Sequence, residues 1–318
     1  MKNRVLTALL VLVAVMGSMA TVQASEDSAF YHGGERHLGG HAFMHSQYIN
    51  DPFISSNFTN FVGAASASTY SRDFHDLNGD LLFTLKGSVV FASLGMKYQQ
   101  HLGKKWAVGV GGTGLVRSGT NALSFIDDGA NVNVNYDAWA KRLLHQGQKS
   151  QLTAGLNWHY SSVTYFTPRE FAEHLLDGGS LETAPFVVTG KSWSVQADFL
   201  WAYAFNSMYA IRATGSFGVV ERFGNSGVFM GKNKVGVLGE VDFKARHSLP
   251  LGITLGHFVA LPLDKLQSGT SGTVLGFWFT GRKDFLIGLE TGWLEIPLSD
   301  DGDTVDGAFG AINIKYYF

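Results

Sequence analysis

The chain closes on Ala311-Ile312-Asn313-Ile314-Lys315-Tyr316-Tyr317-Phe318, and this stretch decides the fold. Successive side chains of a strand point to opposite faces. Read at that period, Ile312, Ile314, Tyr316 and Phe318 share one face, and Ala311, Asn313, Lys315 and Tyr317 share the other. A strand that is apolar on one side, polar on the other and aromatic at its end suits a barrel in lipid. Its apolar face meets acyl chains and its aromatics sit at the water boundary.

The same alternation extends upstream. Between 190 and 206, Trp193, Val195, Ala197, Phe199, Trp201, Tyr203 and Phe205 oppose Ser192, Ser194, Gln196 and Asp198. Between 150 and 166, Leu152, Ala154, Leu156, Trp158 and Tyr160 oppose Thr153, Asn157, His159 and Ser161. Strands are expected at about 55–72, 84–101, 105–119, 130–144, 150–166, 190–206, 208–221, 232–247, 250–263, 271–281, 284–297 and 306–318. Their connections alternate between short and long, as the periplasmic turns and external loops of bacterial barrels do. A soluble sandwich has no reason to keep that alternation.

The N-terminus fits an exported protein. Lys2 and Arg4 precede an apolar run from Val5 to Met16, and Val22-Gln23-Ala24 offers small residues before Ser25. Residues 1–24 therefore read as a signal peptide. No later stretch approaches the roughly 20 apolar residues of a spanning helix. Cysteine is absent, which excludes a disulfide scaffold and thiol chemistry. With 24 basic and 26 acidic residues, nothing points to nucleic acid.

The terminal Phe318 resembles the C-terminal signature of Gram-negative outer-membrane barrels. That resemblance implies an all-β, antiparallel up-and-down transmembrane barrel over residues 54–318. Twelve strands are expected, with ten or fourteen as the adjacent even counts. It also implies a place in the outer membrane, contact with outer-membrane lipids, and handling by the barrel-assembly machinery through Phe318.

A charge on the lipid face at mid-membrane costs ~2–4 kcal/mol for Arg or Lys, so the charged faces must turn inward. The inward set is Lys97, Asp137, Lys141, Asp198, Arg212, Glu240, Asp242, Lys244, Arg246, Glu290 and Lys315. Both signs are present, so two interiors are compatible: a self-paired polar core, or a narrow wet path for small solutes. Two acids then two bases (Glu240, Asp242, Lys244, Arg246) predict no strong ion selectivity.

Residues 25–53 precede the first strand. Their apolar members, Phe43, Met44, Tyr48, Ile49 and Phe53, need burial. The stretch is either a plug entering the lumen from the periplasmic side or a loose tail. It also holds His32, His37, His41 and His45. Imidazoles ligate zinc, copper and nickel, and His37, His41 and His45 would align on a helix. Gly33, Gly34, Gly39 and Gly40 oppose a helix and no carboxylate set completes a site, so neither metal nor cofactor is expected.

The longest external loop carries a helix start at Thr167-Pro168-Arg169-Glu170 and a stop at Gly178-Gly179, with Phe171 and Leu175 on its apolar side. It reads as a lid on the rim or as a loop narrowing the lumen. Gly109 to Gly114 lacks the Lys-Ser/Thr of a phosphate loop and reads as strand with small side chains.

His159 and Ser161 look like the His-x-Ser arrangement of small-barrel lipid A deacylases, and Asn50-Asp51 is similar to the Asn-Asp start of the calcium-dependent ones. Both His159 and Ser161 are expected to face inward, whereas a lipid hydrolase needs an outward nucleophile. Three functions from different classes follow. The leading one is a channel for small solutes. The alternatives are a lipid hydrolase using His159 and Ser161, and a structural or adhesive barrel whose loops bind a partner.

Overall fold

A computed structural model describes residues 36–75, 80–120, 125, 129–166, 168, 171, 174–175, 180, 186–221, 227–262, 269–297 and 304–318. The signal-peptide expectation for 1–24 and His32 lie outside these residues.

A small hairpin, β1 (His37–Leu38) and β2 (His41–Ala42), comes first. Gly39 and Gly40 turn it, both at positive φ (55° and 83°), which glycine adopts without a Cβ penalty. Twelve barrel strands follow. They are β3 (Asn57–His75), β4 (Leu81–Leu102), β5 (Trp106–Gly119), β6 (Ala130–Gln146), β7 (Ser150–Phe166) and β8 (Val187–Ala204). Then come β9 (Tyr209–Glu221), β10 (Phe229–Asp242), β11 (Leu251–Pro262), β12 (Thr270–Phe279), β13 (Phe285–Pro297) and β14 (Thr304–Tyr317). Each pairs antiparallel with its neighbours, and β14 pairs with β3 to close the barrel. The twelve-strand antiparallel expectation holds.

The burial pattern is inverted relative to a protein dissolved in water. Trp293 is 65% exposed and Val235 61%, while Thr153, Thr254, Glu290 and Asn313 are fully buried. A continuous apolar outer face would be costly in water at ~25 cal/mol per Å²; hydrocarbon removes that cost. The barrel therefore crosses a membrane with its strands. At the short-turn end the outer face is ringed by aromatics. Tyr98 stacks on Phe318 (6.1 Å between centroids), Phe285 meets Tyr316 (5.0 Å), and Trp201, Tyr203 and Phe205 follow one another. Amphipathic rings favour that interface.

Two expectations need correction. β10 ends at Asp242, not 247. Residues Lys244–His247 form one helical turn, α1, closed by Ser248 at φ 55°. Lys244 and Arg246 are exposed there, so neither lines the lumen. Their place in the alternation was fortuitous: the strand has already left the membrane, and two cations are better solvated at the rim. The alternation of connection lengths is also imperfect. The short-side connection 243–250 is lengthened by α1, and the long-side connection 76–80 is shortened because β3 and β4 continue beyond their expected ends.

Pro168, Phe171, His174 and Leu175 are helical; Thr167 and Gly178-Gly179 lie outside the described residues. Phe171 packs on Phe186 (4.9 Å), which packs on Phe166 at the end of β7 (4.3 Å). This helix is therefore anchored to the barrel rim.

Candidate functional site

The site is the lumen, which is occupied unevenly along its length. Residues 36–56 lie within its short-turn half. The β1–β2 hairpin sits among the turns: Gly39 donates its N–H to Gln148 O (2.7 Å), Arg36 donates to Arg282 O (3.2 Å), and His41 Nδ1 lies 3.2 Å from Ser207 O. Phe43 and Phe53 pack together against Leu38, Ala202, Ala204 and Ala210. Deeper, Ile49 is fully buried with Leu238, Phe258, Val274 and Phe309, and Tyr48 stacks on Phe258 (5.2 Å). The apolar residues of this non-strand stretch are thus buried inside the barrel.

Its polar backbone is satisfied by side chains from the inner wall, as buried amides and carbonyls require. Met44 N–H donates to Glu240 Oε2 (2.7 Å), and Gln47 N–H to Glu290 Oε2 (3.1 Å). Lys234 Nζ donates to Tyr48 O (2.6 Å), and Gln99 Nε2 to Ser55 O (2.8 Å). Gln151 and Thr153 both donate to Pro52 O. Glu240 also pairs with the guanidinium of Arg212, with both side chains fully buried.

Asp51 is the segment's main ionic tie. Lys315 Nζ lies 2.9 Å from its Oδ2 and Lys141 Nζ 3.5 Å from its Oδ1. Burial works to raise this carboxyl, but Lys315 and then Lys141 outweigh it and hold it well below the usual carboxylate range.

Described residues of the lumen line two cavities. One of about 90 Å³ lies beside the segment, with Asp51, Lys97, Lys141 and Lys315 in its wall. The other, about 600 Å³, occupies the long-loop half and is floored by Asn50 and Phe258. Asn50, Asp137, Asn157 and Asp198 line both, so the larger space adjoins the smaller one.

The structure sorts the residues expected to face inward. Lys97, Asp137, Lys141, Asp198 and Lys315 line these cavities. Arg212, Glu240 and Glu290 face inward but are covered by the segment. Asp242 is buried at the strand end, where it accepts from Thr280 Oγ1 (3.0 Å) and from the N–H of Lys244 (3.0 Å). It secures a turn.

The three histidines part company. His37 and His41 belong to the hairpin, and His45 packs against Trp278 (6.0 Å). Burial, with Arg36 and Lys283 close by, lowers His37 to about 4. Burial and Lys315 likewise hold His45 well below the ordinary imidazole value. Among the described residues no three His, Asp or Glu side chains gather as a metal site.

The hydrolase pair is also separated. His159 Nδ1 lies 2.7 Å from Asp137 Oδ1, and Ser161 Oγ donates to Asn133 Oδ1 (3.0 Å), each on β6. The two side chains have different partners. Asp51 is held by Lys315 and Lys141.

Sequence reasoning missed the inward roles of Lys232, Lys234, Gln99 and Asp51. The first two were legible, because they share the parity of Glu240 on the same strand. Asp51 carried no signal, since it lies where no period applies.

The sequence matches no family model and no curated protein. Solved structures with a similar course of chain include an outer membrane channel from Pseudomonas putida F1, at 11% identity, with 87% of this chain and 100% of that one covered and a TM-score of 0.49. A Pseudomonas aeruginosa FadL homologue is 12% identical over 91% of this chain and 98% of its own, at a TM-score of 0.45. The translocator domain of autotransporter NalP from Neisseria meningitidis is 9% identical over 83% and 89%, at 0.46. All three likenesses are low in sequence and partial in shape.

Proposed function

We propose that this barrel is a channel for small solutes in the outer membrane of a Gram-negative bacterium. Residues 36–56 act as a stopper on its periplasmic side. The observation that carries this reading is the pair of adjoining polar cavities, one filling the long-loop half of the lumen and one running down beside the segment. A barrel built only as a scaffold has no need of a 600 Å³ polar space inside it.

The wall holds the stopper through hydrogen bonds and ion pairs that water can replace, together with three apolar clusters. Loss of the first group without the second loosens the segment while leaving it in place. Single-channel conductance in planar bilayers tests the reading, comparing the mature chain with a form lacking residues 25–49. The mature chain should show small conductance and the shortened form a several-fold larger one. Equal conductance removes the stopper. Silence from both removes the channel.

A further inference from the structure

The larger cavity is chemically lopsided. One wall, contributed by β7 and β8, presents Asn157, His159, Ser192, Ser194 and Gln196. The adjoining wall, contributed by β9, β10 and β11, presents two lysines among Val220, Met230, Phe258 and Ala260, with Ser216 and Glu221 beside them. Lys232 and Lys234 occupy successive inward positions of β10, about 7 Å apart at a rise of ~3.4 Å per residue. Lys234 is opposite Ala260, and Met230 is opposite Val220. Lys234 Nζ also lies 5.1 Å above the Phe258 ring.

The acids that share this cavity already have partners. Asp137 is bonded to His159, and Glu221 accepts the N–H of Gly227 (2.8 Å). Asp198 is hydrogen-bonded by Ser216 and Asn157. Lys234 donates to the uncharged Tyr48 carbonyl, and Asp198 acts on it across the cavity without forming an ion pair with it. Lys232 has no hydrogen-bond or ion-pair partner among the described residues, although it lines the cavity and is only part-exposed. A cation withdrawn from bulk water without an anion is costly, and a ligand anion removes that cost.

We propose that this cavity binds a small organic anion with an apolar body. Its acid group sits on Lys232 and Lys234, and its body lies against Val220, Met230 and Phe258. The volume suits such a molecule, since small-molecule sites span roughly 300–1,000 Å³. The inference deepens the channel reading by naming a class of solute, and it rests on that reading only for the solute's passage. Because Lys234 also holds Tyr48 O, an anion seated there competes with the contact that fastens the stopper's deepest part.

Calorimetric titration of the full mature chain in nonionic detergent tests the site without requiring conductance. The probes are benzoate, its neutral analogue benzamide, and inorganic phosphate. Benzoate should bind at least tenfold more tightly than either of the others. Lys232→Gln should weaken benzoate at least tenfold, and Lys232→Arg should restore it to within about threefold. Retention of the heat-dependent gel shift of a folded barrel shows that each variant has assembled. The assignment is overturned if benzoate fails to bind, if benzamide or phosphate matches it, or if Lys232→Gln leaves it unchanged. If Lys232→Gln fails to assemble, the benzoate–benzamide comparison on the unaltered chain decides alone. Benzoate binding without conductance would leave the site standing and remove the channel.

Discussion

Lys315 of the final strand places its Nζ 2.9 Å from Oδ2 of Asp51, in the segment that precedes the first barrel strand. The contact joins barrel wall to lumen filling. Lys141 approaches the other carboxylate oxygen and also donates to the Asp51 carbonyl (3.0 Å).

Asp51→Asn leaves two buried ammonium groups without their anion. We expect the segment to loosen, which limited proteolysis at residues 36–56 would report. The pH dependence has a definite sign. The carboxyl of Asp51 lies lower in the folded chain than its unfolded value of about 3.9. Its contribution is therefore complete above that value and is lost as pH falls through the lower folded one. The Asp51 part of this hold should be constant from neutral pH down to about 4 and be lost in stronger acid, separate from the weakening that protonation of His37 and His45 brings as pH falls below about 6.5. Asp51→Asn should remove the stronger-acid step and keep the histidine one.

The Arg212–Glu240 pair is fully buried, and Glu240 also receives Met44 N–H. Glu240→Gln strands a guanidinium in the interior, at a cost of ~3–5 kcal/mol. Replacing Arg212 and Glu240 together with Met and Leu should recover most of that loss. Urea unfolding in lipid vesicles, followed by tryptophan fluorescence, measures both variants.

Val235 lies midway along β10 on the outer face. Val235→Arg should destabilise the barrel by ~2–4 kcal/mol in a bilayer. A similar substitution at Asn233, on the same outward parity but one step nearer the long-loop end, should cost less. Comparing the two in one unfolding assay checks that the face contacts lipid.

Gly109 faces the indole of Trp139 on the neighbouring strand, where an added Cβ would collide with the ring. Trp139 Nε1–H in turn donates to Gln99 Oε1 (3.1 Å), and Gln99 holds the carbonyls of Phe53 and Ser55. Gly109→Val should cost ~1–3 kcal/mol through overpacking and should also free the end of the segment, visible as protease cleavage near Phe53.

The barrel was legible because lipid and lumen impose opposite demands on alternate residues, and that opposition is written at period two. Trp201 against Asp198, and Ile312 against Asn313, needed no coordinates. Period two misled at Lys244 and Arg246, because parity continues to count after a strand has stopped. Legibility failed for residues 36–56, where the fold is a set of individual bonds from Gln99, Gln151, Thr153 and Lys234 to backbone carbonyls. Such bonds follow no period. The apolar residues Phe43, Ile49 and Phe53 showed that the segment needed burial, and left a plug in the lumen and a loose tail as alternatives.

β3 is paired with β14, and the segment runs directly into β3, with Phe318 N–H donating to Ser56 O (3.2 Å). Of the two cations that grip Asp51, one is on β6 and the other on β14. The segment precedes every barrel strand, yet its full set of anchors exists only once β14 has paired with β3. A barrel arrested before β14 docks would therefore lack one of the two charges that tether its filling.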